Sequence, residues 1–510
     1  MIIGVDIGGT NTDAVLIDEN ENLICFAKTA TTEDISYGFY TAVKKALEKS
    51  RVRPDTIKGI YVGTTHATNA ILQKKNLNQV GVIRLAGQRP DVLPVAYAWP
   101  KDLRDAVLFG SETIGGGFEC HGGELSPLSD VEIRDAVKKL LENGVNSIAV
   151  IGVFSPLNDK QEKRVAEIIQ ECAGPLFPIS VSSQIGGIGF IERENSTIIN
   201  ASLKKVMQMG FVSLQNKCDQ LKLSCPLMIT QNDGSLISIE RAIEYPVLTI
   251  SAGPTNSFIG GSKLAGLEDA IVVDIGGTSS DAGIVRRGFP LRSLNKSNIG
   301  GISLNFPMPD VLSIALGGGS VISYLKNEPI IGPESIAKKL MKDAVSFGGD
   351  MITLTDIALF KGYIDIGGAK VPLVPDADKI FDQVRTKLSD LVIKIRGEYT
   401  EFPVVLVGGG AALLASTLPG KHYQIPPSYQ VANAYGAALA EVSGMVDTVL
   451  SLENREETLD KLYESAKKRA LEQGADIKTL RLVDQQILPY SYVPNKMARV
   501  VVRFCGKKIR

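Results

Sequence analysis

The stretch Val5–Asp13 reads VDIGGTNTD, and the stretch Val273–Asp281 reads VDIGGTSSD. The two nonapeptides differ only in a pair of small polar residues, although one lies at the start of the chain and the other in its middle. Each has an apolar strand that ends in aspartate, a Gly-Gly-Thr turn, and a second aspartate before another apolar strand. This order predicts two related β-hairpins.

A Gly-Gly-Thr turn can present consecutive backbone N–H groups to one side, and such turns bind phosphate. Glycine lacks a Cβ atom, so an anion can come close to the backbone. For a single copy, a hairpin turn that binds no ligand is an equally good interpretation. Two near-identical copies in one chain favour a two-sided phosphate site. The predicted phosphate-binding residues are Gly8, Gly9, Thr10, Asn11, Gly276, Gly277 and Thr278.

Asp6 and Asp274 end the strands that precede these turns. A carboxylate beside a phosphate is repelled unless a cation intervenes, and Mg²⁺ binds through one or two carboxylates, water and phosphate oxygens. We therefore predict Asp6 and Asp274 as catalytic, Mg²⁺-linked carboxylates. For Asp13 and Asp281 the sequence leaves open whether they orient the loops or contact the metal.

A third glycine motif follows an apolar strand, where VVLV at 404–407 leads into Gly408, Gly409 and Gly410 and then into a predicted helix over 411–416. A nucleotide base or ribose can lie flat on backbone of this kind. Strand–glycine–helix turns are common, so the motif gains its weight from the two hairpins. The three motifs together predict a site for a nucleotide with a polyphosphate chain.

Strands and helices alternate along most of the chain, which predicts an α/β fold with largely parallel sheets. The predicted divisions are an N-terminal lobe over 1–185 with an irregular insertion near 87–127, a second lobe over 186–445, and a C-terminal helical and strand extension over 446–510. Local patterns also predict a strand over 247–250 and helices over 333–345 and 431–442.

Composition argues against several classes of protein. The 55 basic and 56 acidic residues give a formal charge of −1, so nothing indicates binding to nucleic acid or an anionic membrane surface. The six cysteines form no C-x-x-C pair, which gives a zinc or iron–sulfur site little support. With no signal-like N-terminus and no apolar run of ~20 residues, we expect a cytoplasmic protein.

The order of two phosphate hairpins and a later adenosine loop resembles the actin/hexokinase/heat-shock-70 ATPase superfamily. That resemblance implies two ribonuclease-H-like lobes with a nucleotide cleft between them. Within that superfamily, the amino-acid sequence of the motifs resembles most the hydantoinase A/5-oxoprolinase family, and the chain resembles a short A-type member. The similarity covers nearly the whole chain. The stretches that carry it are GVDIGGTNTDAVLID at 4–18, GTTHATNAILQKK at 63–75, IERENSTIINASL at 191–203, SAGPTNSFIGG at 251–261, VVDIGGTSSDAGIV at 272–285 and ALGGGS at 315–320.

The family resemblance implies an ATP-dependent ring-opening hydrolase that acts on a cyclic amide such as a hydantoin, 5-oxoproline or a related lactam or imide. ATP would phosphorylate the carbonyl oxygen, which makes it a good leaving group, and water would attack the ring carbon. Positioning and Mg²⁺ electrostatics supply most of the catalysis in such transfers. The resemblance also implies a partner subunit of the hydantoinase B type, and a homo-oligomer stays open.

Substrate contacts are implied by the resemblance in the TTHATN and QNDG stretches. The residues are Thr64, Thr65, Thr68, Asn69, Asn232 and Asp233, with His66 as a polar substrate contact or general base. The alternative for TTHATN is a helix N-terminus capped by threonine. Longer relatives have a histidine where this chain has Leu312, which leaves a second metal site and the usual lactam substrates in doubt.

Two other functions remain open at this stage. One is a small-molecule kinase of the same fold that releases its phosphorylated product, and the other is an ATP-switched binding or activator protein. Activators of this fold usually bring cysteines for an interfacial cluster, and no suitable pair stands out. A dinucleotide-binding enzyme is disfavoured because neither hairpin fits a strand–G-x-G-x-x-G–helix pattern.

Overall fold

The computed structural model describes residues 1–32, 34–87, 93–293, 297–306, 308–413, 423–490 and 496–509. Its strands are β1 (Ile2–Ile7), β2 (Asn11–Ile17), β3 (Leu23–Ala30), β4 (Gly59–Thr64), β5 (Val80–Leu85), β6 (Leu108–Ile114), β7 (Ser147–Gly152), β8 (Ile179–Val181), β9 (Leu227–Thr230), β10 (Ser235–Ser238), β11 (Ala270–Ile275), β12 (Ser280–Arg286), β13 (Phe289–Pro290), β14 (Ser297–Ile299), β15 (Ile302–Leu304), β16 (Val311–Ile314), β17 (Ser320–Leu325), β18 (Glu328–Ser335), β19 (Val404–Val407), β20 (Tyr423–Gln424), β21 (Glu441–Ser451), β22 (Arg481–Pro489) and β23 (Met497–Gly506).

Its helices are α1 (Ile35–Ser50), α2 (His66–Gln73), α3 (Lys101–Val107), α4 (Asp130–Glu142), α5 (Lys160–Ala173), α6 (Phe190–Gln220), α7 (Ile239–Glu244), α8 (Ala252–Leu264), α9 (Leu340–Asp343), α10 (Leu354–Phe360), α11 (Ala377–Arg396), α12 (Ala432–Leu439) and α13 (Arg455–Glu472). None of these helices has both the length and the apolar character that crossing a membrane requires.

Two sheets share one five-stranded topology. In the first, the order β3-β2-β1-β4-β9 has two antiparallel pairs followed by two parallel pairs. In the second, β13-β12-β11-β19-β20 repeats the same order and directions. This is the ribonuclease-H-like arrangement, so the predicted α/β fold with two such lobes is confirmed.

The central strands β1 and β11 form because their sequences are nearly continuous apolar runs. Every residue of β1 is buried, and so is every residue of β11 except its aspartate. Strands covered by helices on both faces read in this way, without polar alternation. Each run ends at its aspartate and glycine turn, which brings both hairpins to the ends of their strands.

Glycines allow the helices between the two sheets to pack closely. A Cβ atom on Gly260 of α8 would lie 1.9 Å from the carbonyl oxygen of Ala432 on α12, and one on Gly436 would lie 1.9 Å from the carbonyl oxygen of Asn256. Gly4 of β1 approaches the Ala434 carbonyl oxygen in the same way, at 2.2 Å. These contacts join α8, α12 and β1 into one packed unit beneath the hairpins.

The predicted irregular insertion near 87–127 is partly wrong. It contains α3 and β6, and β6 lies in a parallel four-stranded sheet of order β6-β5-β7-β8. The N–H groups of the three glycines at 115–117 donate to the side chains of Glu132, Ser126 and Gln161, respectively. Weak periodicity and clustered glycine here reflect a short strand and a tightly held turn.

The sheets do not follow the predicted divisions at 185/186 and 445/446. The first sheet continues beyond β9 through β10, β21 and β23 to β22. Strands from the predicted second lobe and from the predicted C-terminal extension therefore belong to the sheet of the first hairpin. Sequence periodicity predicts a strand but not the sheet edge to which it adds.

Four local predictions are wrong in whole or in part. The stretch over 247–250 lies largely in a 3₁₀ turn, Pro246–Thr249, whose proline favours the first turn of a helix. Of the helix predicted over 333–345, residues 333–335 instead continue strand β18. The helix predicted over 431–442 forms as α12 but ends at Leu439, before β21 begins. Of the helix predicted over 411–416, Ala411–Leu413 forms a 3₁₀ turn, and 414–416 lie outside the described residues.

Candidate functional site

A cavity of about 410 Å³ lies where the two hairpin turns and the third glycine motif meet. All residues predicted to bind the cofactor or the metal line it, together with residues the sequence did not single out. The predicted ones are Asp6, Gly8, Gly9, Thr10, Asn11, Asp274, Gly276, Gly277, Thr278, Gly408, Gly409 and Gly410, and the additional ones include Lys28, Ser257, Gly318, Gly319, Thr355, Gln430 and Asn433.

The two hairpins close in the same way. The Gly8 N–H donates to the Asn11 carbonyl at 3.0 Å, and the Gly276 N–H donates to the Ser279 carbonyl at 2.9 Å. The turns also approach each other across the cavity, because a Cβ on Gly277 would lie 3.7 Å from the hydroxyl of Thr10. Two turns of equal shape therefore face one space.

The third glycine motif needs glycine for contact with the second hairpin. Gly408 has a φ of +86°, and a Cβ there would lie 2.1 Å from Asp274 Oδ1. A Cβ on Gly410 would lie 2.5 Å from the side chain of Ile275. By contrast, a Cβ on Gly409 would meet no atom within 4 Å. The motif thus packs on β11 through its outer glycines and opens to the cavity at its middle one.

Four aspartates stand in two cross-strand pairs at the ends of the hairpin strands. Asp6 lies opposite Asp13, and Asp274 lies opposite Asp281. Like charges in directly opposed positions destabilise a sheet. Such an arrangement at matching places in two lobes indicates a site for a cationic ligand.

These carboxylates have little positive charge near them to balance their own negative charge. Burial raises the pKa of Asp6 well above its ordinary value, and the neighbouring Asp13 and Asp274 raise it further. Burial likewise raises the pKa of Asp13 and Asp274, and it raises that of Asp281 to about 6. The site therefore favours a bound cation or proton.

Three of the four carboxylates have a specific partner. Ser257 of α8 donates to Asp274 Oδ2 at 2.5 Å, and Ser313 of β16 donates to Asp281 Oδ1 at 2.5 Å. Lys28 Nζ lies 2.9 Å from Asp13 Oδ2. Asp6 Oδ1 is buried and has no hydrogen-bond partner, and the same holds for Asp13 Oδ1. These two oxygens retain free coordinating capacity.

The GGGS stretch supports the second hairpin from behind. The N–H groups of Gly318 and Gly319 donate to the carbonyls of Gly276 and Gly277 at 3.0 and 2.8 Å. These bonds engage the carbonyl oxygens of the hairpin turn and not its N–H groups. The repeat of glycines pointed to a close approach, but the sequence did not show that the partner is the hairpin itself.

The oxygen donors of the site fit Mg²⁺ if water and phosphate oxygens complete its coordination shell. Among the described residues, no group of three or more His, Cys, Asp or Glu side chains could hold a metal ion by itself. Mg²⁺ commonly takes one or two carboxylates and completes its shell with water and phosphate oxygens. The orphaned Oδ1 of Asp6 suits that pattern, and Asp274 of the second hairpin lines the same cavity.

The TTHATN residues do not line the cavity. They form the N-terminal turn of α2, where the Thr64 hydroxyl accepts from the His66 N–H at 3.0 Å and Thr65 stands at the N-cap position. Asn69 donates to the Thr65 hydroxyl, and the Thr68 hydroxyl accepts from the Ser251 N–H at 3.4 Å. The stretch thus runs from the end of β4 into a helix N-terminus, although Thr65 at the N-cap makes no side-chain capping hydrogen bond. Substrate binding by these residues stays a prediction.

His66 points toward α6. A Cβ on Gly210 of that helix would lie 3.3 Å from the imidazole Nε2. Burial lowers the pKa of His66, and a hydrogen bond with the Val206 backbone opposes that effect. The ring packs as part of the first lobe, outside the lining of the cavity between the hairpins.

Asp233 already has cationic partners. Its carboxylate lies 3.1 Å from Arg503 and 3.8 Å from Arg292, and both arginines are almost fully buried. Although burial acts to raise it, these charges hold the pKa of Asp233 below its ordinary value. The neighbouring Asn232 accepts a hydrogen bond from Thr255 through its carbonyl oxygen. This loop joins α8 to the C-terminal strands and does not reach the cavity.

Two family profiles match the chain. The hydantoinase/oxoprolinase N-terminal region matches residues 2–173, and hydantoinase/oxoprolinase matches residues 193–368, together more than half of the sequence. The chain belongs to the hydantoinase/oxoprolinase family. The resemblance inferred from the hairpins, TTHATN and GGGS stretches is thereby confirmed.

Family relatives share about a quarter of their aligned residues with this chain. Caprolactamase subunit alpha of Pseudomonas jessenii is 27% identical over 417 residues, which cover 76% of this chain and 58% of the relative. Acetophenone carboxylase gamma subunit of Aromatoleum aromaticum is 26% identical and 5-oxoprolinase 1 of Arabidopsis thaliana is 25% identical. The chain spans only 55% and 27% of those two proteins.

Two solved structures share the fold over essentially the whole chain. ATP-dependent caprolactamase from Pseudomonas jessenii superposes with a TM-score of 0.76 at 21% identity, covering 100% of this chain and 88% of that one. Nucleotide-free acetone carboxylase superposes with a TM-score of 0.73 at 18% identity, covering 99% and 88%. At these identities the likeness establishes the architecture of this family member.

Proposed function

We propose that this protein is an ATP-dependent hydrolase that opens a cyclic amide, such as a hydantoin, 5-oxoproline or a related lactam or imide. The observation that carries the proposal is the pair of near-identical hairpins. Their turns face one cavity from two lobes, with aspartates at their bases and an open glycine at the third motif. A polyphosphate with a divalent cation matches that arrangement of N–H groups and carboxylates.

Each part of the cavity has a role in this proposal. The two turns hold the phosphates through backbone N–H groups and the hydroxyls of Thr10 and Thr278. The segment 408–410 carries the adenosine. Asp6 and Asp274 hold Mg²⁺, which supplies neutralising charge on the phosphate oxygens.

Phosphorylation explains why such an enzyme consumes ATP. An amide carbon is a poor electrophile, and transfer of the terminal phosphate to the amide oxygen forms a P–O bond there while the bond to ADP breaks. Water then adds to the activated carbon, the ring C–N bond breaks, and phosphate is released. The products are ADP, phosphate and the ring-opened acid, which is an amino acid from a lactam, an N-carbamoyl amino acid from a hydantoin and a half-amide from an imide.

The family relatives support a cyclic amide as substrate. Two of the named relatives, caprolactamase and 5-oxoprolinase, carry the names of cyclic amides. Several relatives are subunits by name, and this chain spans only part of their length. We therefore include in the proposal a partner subunit of the hydantoinase B type.

A second candidate is the activation of a ketone for carboxylation. Acetophenone carboxylase gamma subunit is as similar to this chain as the caprolactamase subunit is, at 26% and 27% identity. The same cavity would then transfer phosphate to an enol oxygen. Similarity does not separate the two substrates, so the experiment must.

The test measures phosphate release from Mg-ATP by the purified chain, alone and with a co-purified partner subunit. A panel of lactams, hydantoins and imides is compared with ketones plus bicarbonate, and mass spectrometry identifies the products. The proposal expects one ring compound to stimulate phosphate release and to yield its ring-opened product. In Asp274→Asn, both the stimulated phosphate release and the product should be lost. A released phosphorylated metabolite, or stimulation by ketones alone, would overturn it.

A further inference from the structure

One basic side chain reaches the nucleotide cavity. Among the described residues that line it, Lys28 is the only lysine or arginine. It lies on β3 opposite Asp13, and its Nζ is 2.9 Å from Asp13 Oδ2 and 3.5 Å from the Gln430 carbonyl oxygen. The preceding residue, Tyr429, accepts a hydrogen bond from the N–H of Gly408. Lys28 thus connects the first hairpin with the proposed adenosine side.

The second hairpin lacks this cation. There the residue opposite the matching aspartate, Asp281, is Ser313, whose hydroxyl donates to the carboxylate. The second hairpin therefore keeps an aspartate at this position with a hydroxyl and no lysine beside it. A carboxylate that lacks balancing charge is common to both hairpins, so neutralisation alone does not account for a lysine in only one of them.

Lys28 has the freedom and the reach to contact a ligand. Its side chain is 35% exposed, and an ammonium group carries three N–H donors that can be redistributed. Burial raises the pKa of Asp6, Asp13 and Asp274, and the charge of Lys28 opposes that rise in all three. The ammonium group therefore lies within electrostatic range of both hairpins.

We propose that Lys28 binds the terminal phosphate of ATP and stabilises the charge on its oxygens during transfer, an assignment that rests on the proposed ATP site. Carboxylates line the cavity on both sides, so a transferring phosphate needs positive charge in addition to a metal. A fixed ammonium group at the transferred phosphate provides charge stabilisation without reorganisation of solvent. Asp13 holds the ammonium group in place before ATP binds, which makes Asp13 a positioning residue.

Nucleotide binding tests the proposal without any knowledge of the ring substrate. Dissociation constants for Mg-AMP-PNP and Mg-ADP are measured by calorimetry for wild type, Lys28→Met, Asp13→Asn and the double variant. Methionine keeps the length of lysine and removes its charge. We expect Lys28→Met to weaken Mg-AMP-PNP at least tenfold, as loss of a charge-assisted hydrogen bond does, while Mg-ADP changes less than threefold.

The double variant separates phosphate binding from neutralisation of Asp13. If Lys28 contacts the terminal phosphate, Lys28→Met/Asp13→Asn stays at least tenfold weaker for Mg-AMP-PNP, and Asp13→Asn alone keeps the preference over Mg-ADP. If the double variant regains wild-type affinity, Lys28 serves only Asp13 and the proposal is wrong. Unchanged thermal unfolding and Mg-ADP binding show that each variant is folded. Failure of wild type to bind either nucleotide would refute the ATP site itself, which is a different outcome.

Discussion

Replacing Gly9 with alanine asks whether a phosphate lies against the first hairpin turn. A Cβ on Gly9 meets no atom within 4 Å, and the φ of this residue is not in the left-handed region. The methyl group therefore adds neither a clash nor backbone strain to the free protein. A compatible Gly→Ala change raises the free energy of unfolding by about 0.4–1 kcal/mol.

The added methyl group should lower the affinity for nucleotide and not the stability of the free protein. Gly9 lines the cavity, so the methyl group enters the space assigned to phosphate and separates its oxygens from the turn N–H groups. Loss of one hydrogen bond to a charged group costs about 1.5–3 kcal/mol. That energy corresponds to a roughly ten- to hundredfold weaker affinity for Mg-ATP.

Calorimetric titration with Mg-ATP measures the affinity, and urea unfolding measures stability. Gly367→Ala is the matched control, because a Cβ there also meets no atom within 4 Å and Gly367 does not line the cavity. We expect the control to bind Mg-ATP like wild type. A Gly9→Ala protein that binds Mg-ATP with wild-type affinity would refute the assignment of phosphate to this turn.

Three further predictions concern stability. Gly408→Ala should lower the free energy of urea unfolding by more than about 2 kcal/mol, because φ is +86° and the new Cβ would clash with Asp274; an unchanged unfolding midpoint would contradict it. Burial raises the pKa of Asp281 to about 6, so this residue favours folding while protonated and its contribution is lost as pH rises from about 4 through 6. The free energy of unfolding of Asp281→Asn, relative to that of wild type, should therefore rise by up to about 3 kcal/mol across that range. Parallel pH profiles of the two proteins would show the reasoning to be wrong. Asp233→Asn should destabilise the fold by about 3 kcal/mol, because the buried Arg503 loses its ion-pair partner while Arg292 keeps its closer pair with Asp484. Mg-ATP affinity should stay within twofold of wild type; a stable variant with impaired substrate use would instead support a substrate contact.

The hairpins and the cofactor residues could be predicted because their signals are local. An apolar run, an aspartate and a glycine pair within nine residues determine a strand, its end and its turn. The repeat then placed two equivalent turns in one protein, and Thr10 and Gly277 do approach each other across the cavity. Binding of ATP by these residues stays a prediction.

What could not be predicted depends on contacts between distant parts of the chain. The resemblance implied a substrate contact at Asp233, and the sequence could not show that Arg503, 270 positions later, donates to its carbonyl oxygen and pairs with its carboxylate. Strands β10 and β21 join the first sheet through a pairing that no local pattern encodes. Lys28 offered a usable signal, since the third strand of an extended hairpin brings it opposite Asp13.

Direct titration with Mg-ATP tests the central claim, that the repeated nonapeptide forms a two-sided phosphate site. Wild type, Asp6→Asn and Asp274→Asn are titrated with ATP in the presence and absence of Mg²⁺. The account predicts Mg²⁺-dependent binding by wild type and at least tenfold weaker binding by each variant, since one carboxylate from each lobe takes part. Absence of binding by folded wild type, or wild-type affinity in both variants, would contradict it.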